Sequence, residues 1–341
     1  MTLSRCMDRI WYGSNPCRWL LAPLGVCSRM IAGLRRLMYR WSIRPVTVLP
    51  APVIVVGNIT VGGTGKTPLV IWLAEALRQR GLSVGIVSRG YGGRAGTWPQ
   101  AVHRDSDPAL VGDEPVLLAR ATNCPVSVGP DRVKAARALL AREQVDVLLA
   151  DDGLQHYALG RIMEIVVVDG ERGLGNGMRL PAGPLREGRD RLARASAVVV
   201  NGGDWVWKEG AGDMFRATVS ACDVRQITGS ARKPLESFRG IPVHAVAAIG
   251  HPERFFRMLA AAGLQVIPHP LPDHASINVA DLRFDDAGSV LVTEKDAVKC
   301  ERIAHDGVWC VPIELSFEPD ASAGLVALVL SHIEERQWIS P

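Results

Sequence analysis

Acidic residues are almost missing from the first 45 positions of this chain. That stretch holds eight arginines, one aspartate (Asp8) and neither lysine nor glutamate, a net +7. The whole 341-residue chain carries only +4, so the remainder sums to −3. Positive charge is concentrated at one end. This argues against a general nucleic-acid-binding surface and for a partner met by that end alone.

Aromatic residues are also scarce, at 6%, while hydrophobic residues reach 48%, the composition of a folded α/β chain rather than a disordered one. The length suits two domains with ordinary cores. Seven cysteines, at positions 6, 17, 27, 124, 222, 300 and 310, include no C-x-x-C pair. That spacing excludes a zinc knuckle or thioredoxin motif and suits isolated thiols in a reducing compartment. The uncharged stretch from Trp19 stops at Arg29, well short of the roughly 20 apolar residues that span a bilayer. No small-residue cleavage site follows Trp19–Cys27, so a secretory signal does not fit either.

What the N-terminal segment does have is a period. Leu24, Cys27, Ile31, Leu34, Met38 and Trp41 recur at spacings of three and four, placing them on one helical face. Arg29, Arg36 and Arg40 fall on the opposite face, and Trp11, Tyr12, Trp19 and Tyr39 add rings of the kind that sit at lipid headgroup level. The pattern predicts that residues 1–44 form a monotopic anchor on an anionic membrane surface. The alternative is a helix that only covers its own domain, in which both signs of charge are expected.

After Pro45, short β-branched runs alternate with helical stretches. The pattern predicts strands at Val53–Val56, Val84–Ser88, Val126–Val128, Val145–Ala150, Ile165–Asp169 and Ala197–Asn201. Helices are expected at Pro68–Arg80, Pro115–Ala121 and Asp131–Arg142. The expected fold class is α/β, a mostly parallel P-loop NTPase-type sheet with helices on both faces over residues 45–205. A β-rich link (206–240) and a smaller α/β domain (241–341) ending in a helix at Leu325–Arg336 should follow.

Between the first strand and first helix runs Thr60-Val61-Gly62-Gly63-Thr64-Gly65-Lys66-Thr67. Backbone N–H groups of such a turn bind phosphate oxygens, aided by the dipole of the helix that follows. Lys66 suits the β- and γ-phosphates of ATP, and Thr67 suits Mg²⁺. Thr60 replaces the first glycine of the standard pattern. Val61 stands where two-subunit ATPases carry a companion lysine. A second strand ends in Asp151-Asp152-Gly153, and a bound Mg²⁺ would offset the repulsion between adjacent carboxylates.

Three more clusters follow strand ends. S-R-G-Y-G-G-R (Ser88–Arg94) brings Arg89 and Arg94 close to glycines; G-D-E-P contains Asp113 and Glu114; and a long Gly/Pro/Arg loop, Glu171–Gly188, contains Arg186 and Glu187. A loop of that length at the ligand-binding edge of a sheet suits substrate coverage. In "PDH", His274 stands in the smaller domain.

This ordered set resembles the tetraacyldisaccharide 4′-kinase family of lipid A biosynthesis. The motifs are V-G-N-x-T-x-G-G-T-G-K-T-P, S-R-G-Y-G-G, G-D-E-P, D-D-G-x-Q-H, P-x-G-P-L-R-E, G-H-P-E-R-F-F, P-D-H and T-E-K-D-A-V-K, in colinear order from about residue 45 to 300. Gly188 and Ala275 depart from the family's usual Pro and second His. The resemblance implies transfer of the ATP γ-phosphate to the 4′-hydroxyl of a tetraacylated glucosamine disaccharide 1-phosphate at the cytoplasmic face of the inner membrane. It implies Asp113 as base supported by His274, and Thr67, Asp151 and Asp152 around Mg²⁺ with Glu187 in the metal's outer shell. By charge alone, Arg89, Arg94 and Arg186 are candidates for the acceptor's 1-phosphate. If His274 must meet Asp113, the dyad spans two domains. The expected partners are the glycolipid and the membrane surface, with no nucleic acid and no obligatory protein.

Two other classes share the phosphate loop: a membrane-associated regulatory ATPase and a soluble ligase of the dethiobiotin synthetase type. Val61 and the Arg-rich loop count against the first, and the basic N-terminus against the second.

Overall fold

The computed structural model describes residues 3–207, 213–286 and 288–339. The chain divides into two compact units, one of residues 1–89, 131–218 and 317–341, the other of residues 90–130 and 219–316. The sequence boundary at residue 205 therefore does not match the compact units, because 90–130 groups with the C-terminal part of the chain.

In the first unit six parallel strands lie in the order Asp213–Ala221, Ala197–Asn201, Met163–Asp169, Val53–Gly57, Val147–Asp151 and Val84–Ser88. The apolar runs that predicted strands are buried on both faces along most of their length, as expected where helices cover both sides of a parallel sheet. Val53, Val55, Val87, Leu148, Ala150, Val166, Val198 and Val200 join Ala136 and Leu139 of the helix Arg132–Leu140 in one core. The register sets Val56 beside Asp151. The phosphate loop and the Asp pair thus leave adjacent strands at the same end, where such sheets bind ligands.

A buried charge cluster braces this edge. Arg161 is fully buried and donates to the carbonyls of Leu159 (3.0 Å), Leu154 (3.3 Å) and His156, and to Glu164 (3.0 Å). Arg191 pairs with the same carboxylate from the other side. The loop after Asp151-Asp152 is therefore held through its own carbonyls by one guanidinium.

The N-terminus forms helices Leu3–Tyr12 and Cys17–Arg40. The second rests on the domain through a narrow seam. A Cβ on Gly25 would lie 3.1 Å from the Arg179 carbonyl; Ser28 Oγ donates to the Leu180 carbonyl (2.6 Å); and Tyr39 is buried edge-on against Tyr157. Leu24, Ile31, Leu34 and Trp41 point outward with 56–70% of their surface exposed. Cys27 is exposed too, whereas Met38 is half-buried. Arg36, on the face opposite those residues, turns inward to Asp190 at 3.4 Å. No described helix is long and apolar enough to cross a membrane.

The second unit carries a six-stranded sheet in the order Arg232–Lys233, Val224–Gln226, Val308–Val311, Ser289–Thr293, Pro242–Ala247 and Gln265–Pro270. The last four are parallel and the first two antiparallel. The expected link 206–240 thus contributes strands to both units. Residues 208–212 of that link lie outside the described residues. Apolar side chains on the two faces of this sheet form separate cores around Leu291 and Phe255 and around Val292 and Leu282. The terminal helix, Pro319–Glu335, starts earlier than the pattern indicated, with a proline in the first turn, where no helical N–H is lost.

Arg161→Met leaves Glu164 buried with one cation fewer and frees three loop carbonyls. Breaking a buried pair in this way costs about 3–5 kcal/mol, which denaturant unfolding of the purified variant will read.

Candidate active site

The functional side chains named from the sequence gather in two clusters, one in each unit. In the first unit the strand Val53–Gly57 delivers the chain into the phosphate loop, and the helix Lys66–Arg78 receives it. Gly62 and Gly65 have φ of +112° and +96°, a region open to glycine. At Gly65 space is limiting too: a Cβ would stand 2.2 Å from Asn201 Nδ2, which donates to the Thr64 carbonyl at 3.0 Å. At Gly62 and Gly63 a Cβ would meet nothing within 4 Å, so this part of the loop faces open space. Thr64 Oγ1 is buried with no hydrogen-bond partner among the described residues. An open glycine cradle, an orphaned hydroxyl and a helix N-terminus fit a polyphosphate.

Thr60 and Val61 serve otherwise. Thr60 pairs with Leu185, Val61 N–H donates to the Pro184 carbonyl at 2.9 Å, and Arg186 N–H donates to Ile59 at 2.7 Å. The long Gly/Pro/Arg loop is thereby zipped along the entry to the phosphate loop. The Val61 amide that the spacing offered to phosphate is engaged by protein.

Asp151 is buried at its strand end, and Thr67 stands in the first helical turn. Lys66 Nζ lies 3.6 Å and Arg186 Nη1 3.2 Å from Asp152. Burial pushes the Asp152 carboxyl up, but Lys66, Arg186 and Arg132 outweigh it and hold the group below its ordinary range. No cluster of three or more His, Cys, Asp or Glu with metal-binding geometry occurs among the described residues. Mg²⁺ does not need one, since it keeps waters and takes one or two carboxylates plus phosphate oxygens.

Glu187, expected in the metal's outer shell, is held by protein partners here. Its oxygens accept from Gln155 Nε2 (2.9 Å) and the Tyr157 hydroxyl (3.0 Å), with Arg191 Nε at 3.5 Å. Gln155 Nε2 also reaches the Asn58 carbonyl at 3.2 Å. Glu187 is thus a strut between the two loops, its charge already matched by Arg191.

The second unit holds the other cluster. Gly112, at φ +95°, passes so close to Tyr91 that a Cβ would lie 2.6 Å from its carbonyl, and this turn starts the helix Asp113–Thr122. Asp113 Oδ1 accepts the Glu114 N–H at 2.9 Å in the first turn of the helix it begins. Its Oδ2 lies 3.2 Å from both His274 Nδ1 and Lys299 Nζ. Burial raises the Asp113 pKa, but His274, Lys295 and Lys299 together drive it well below the usual carboxylate range. His274 stacks near Tyr91, with ring centroids 4.6 Å apart. The expectation of a dyad split between domains is corrected: Asp113 and His274 belong to one unit, because 90–130 packs there.

Of the three arginines, Arg186 reaches Asp152, while Arg89 and Arg94 are exposed, in the first and second units respectively. Sequence reading gave no role to Arg132, Asn201, Lys295 or Lys299. Buried Arg132 donates to the Asp152 carbonyl at 3.1 Å, and burial lowers its pKa to about 10. An arginine opening a helix directly after G-P-D was the available signal.

A Gly-Lys-Thr phosphate loop on a parallel sheet with a carboxylate pair on the adjacent strand, and in the other unit an ionised Asp113 beside His274, are the parts of a phosphotransferase. Comparison with known proteins narrows the class. The sequence pattern of the family described as Tetraacyldisaccharide-1-P 4'-kinase matches residues 17–332. The chain is 51% identical to the tetraacyldisaccharide 4'-kinase of Nitrosococcus oceani over 94% of its length and 93% of that protein's. It is 46% identical to the Pseudomonas aeruginosa enzyme over 92% and 94%. The crystal structure of LpxK from Aquifex aeolicus, in complex with ATP, superposes with a TM-score of 0.78 at 26% identity, covering 93% of this chain and 99% of that one. The chain belongs to the tetraacyldisaccharide 4′-kinase family, the ATP-dependent kinases of lipid A biosynthesis.

His156 gives a pH signature to this site. Burial, followed by the charge of Arg132, lowers its pKa from 6.5 to about 4. Between those values the unfolded chain binds a proton that the folded chain refuses, so stability is lost as pH falls through that window. Denaturant midpoints measured from pH 7 to pH 4 should fall for the wild type and flatten for His156→Gln.

Proposed function

We propose that Gly62, Gly63, Thr64, Gly65 and Lys66 hold the β- and γ-phosphates of ATP, while Thr67, Asp151 and Asp152 hold Mg²⁺. Asp113, oriented by His274, takes the proton from the 4′-hydroxyl of the disaccharide. The observation that carries this reading is the 3.2 Å approach of His274 Nδ1 to Asp113 Oδ2 beside a lysine.

A sugar hydroxyl ionises far above neutral pH, so a carboxylate within hydrogen-bond reach takes its proton as the new phosphorus–oxygen bond forms and the γ-phosphorus bond to the departing ADP oxygen breaks. His274, Lys295 and Lys299 offset the burial of Asp113 and hold its carboxyl well below the usual carboxylate range, so it is ionised near neutral pH. Lys66, now against Asp152, would turn to the phosphate oxygens on binding. Bound Mg²⁺ would supply charge neutralisation at the transferring group. The Thr64 hydroxyl, orphaned and buried, is a natural donor to a phosphate oxygen. Arg186, Arg89 and Arg94 remain the candidates for the acceptor's 1-phosphate, with Arg186 exchanging Asp152 for it.

The N-terminal helix supports attachment at the cytoplasmic face of the inner membrane. Its outward side is apolar, and Arg29 and Arg40 are exposed on its flank. The helix is seated by small residues, so the apolar side stays available to lipid. The arrangement suits a monotopic contact, with arginines at headgroup level.

Asp113→Asn should lower transfer from γ-labelled ATP to the micellar disaccharide 1-phosphate by at least about 100-fold while nucleotide binding persists. Transfer at the wild-type rate would remove Asp113 from the mechanism. For the helix, Leu24→Glu with Ile31→Glu should abolish flotation with anionic vesicles. The same pair should change unfolding stability by no more than about 0.5 kcal/mol per site.

A further inference from the structure

The helix Glu294–Cys300 lies against the Asp113 helix in the second unit and presents two lysines one turn apart. Lys299 Nζ lies 3.2 Å from Asp113 Oδ2 and 2.9 Å from Asp296. Asp296 is fully buried and fixed by the Thr293 hydroxyl (2.7 Å) and the Ala248 N–H (3.0 Å), so Lys299 is aimed by a rigid support. Lys295 Nζ lies 2.9 Å from Glu114, 3.1 Å from His274 Nε2 and 3.6 Å from Asp273, three acceptors for three ammonium hydrogens. These lysines therefore stand at the two ends of the Asp113–His274 pair.

An ammonium group only donates, so the nitrogen it meets must be unprotonated. His274 Nε2, facing Lys295, is then an acceptor, and the single imidazole proton sits on Nδ1, facing Asp113. We propose that Lys295 and Lys299 are positioning residues for phosphoryl transfer: Lys295 fixes His274 as the neutral Nδ1–H tautomer, and Lys299 holds the Asp113 carboxylate in place. His274 in this state orients the carboxylate and does not accept the proton at Nε2. The inference rests on Asp113 being the base. The charged and titratable groups facing the pair are Lys295, Lys299, Glu114 and Asp273, with Tyr91 near the imidazole and Asp296 behind Lys299.

Two measurements test it on the full-length protein. Long-range ¹H–¹⁵N correlation of the wild-type imidazoles, assigned with His274→Gln, should place the His274 proton on Nδ1 at pH 7.5. A proton on Nε2, or a charged ring, would overturn the assignment without any lysine variant having to fold. The second is the pH profile of kcat/KM with ATP and the micellar acceptor. Removing the cation beside Asp113 should move the acidic limb of Lys299→Met upward by about 1–3 pH units. At pH 7.5 its kcat should fall at least tenfold with the KM for ATP unchanged, and Lys299→Arg should restore the wild-type limb. An unmoved limb in Lys299→Met, with Asp113→Asn inactive, would sink the role of Lys299 alone. Full activity of Asp113→Asn would instead sink the base on which it rests.

Discussion

A carboxylate taken out of water must meet a cation or several donors, and this requirement organises both units. Glu164, between Arg161 and Arg191, fastens the loop that follows the Asp pair. Asp152 is matched by Lys66 and Arg186, and Glu187 by Arg191. Asp113 and Asp296 share Lys299. Replacing such groups by apolar ones would cost little by itself, whereas removing one partner leaves an uncompensated charge. The pairs therefore fix loop positions more than they add stability. Phosphoryl transfer depends on that positioning, because little covalent chemistry is left to the protein.

The parts legible in the sequence were those whose meaning is local. A strand, three glycines and Lys66-Thr67 specify a phosphate loop within the fifteen residues Val53–Thr67, and Asp151-Asp152 closes a buried apolar run. Strand positions followed for the same reason, since Val-rich runs bounded by turns fit a sheet covered on both faces.

What escaped depended on distant partners. Nothing near Val61 in the sequence indicates that its amide serves Pro184, and nothing near Glu187 indicates that Tyr157 and Gln155 occupy its oxygens. Lys295 and Lys299 stand in the T-E-K-D-A-V-K stretch, but they have no role until the fold brings Asp113 and His274 beside them. Helical period showed which N-terminal residues share a face but not which side meets the domain. Gly25 and Ser28 decide that by permitting a close approach, and Arg36 follows them inward. The grouping of 90–130 with the C-terminal part of the chain was hidden because sequence order keeps it between two strands of the phosphate-loop sheet.

The loop from Arg179 to Glu187 has a neighbour on each side. One edge receives the N-terminal helices, through Gly25 at Arg179, Ser28 at Leu180 and Trp11 at Pro181. The other pairs with Ile59, Thr60 and Val61. A residue inserted here could not slide into solvent, since lengthening the segment would throw one edge out of register while the other stayed fixed. The segment therefore ties the N-terminal helices and the phosphate loop to a common spacer of fixed length.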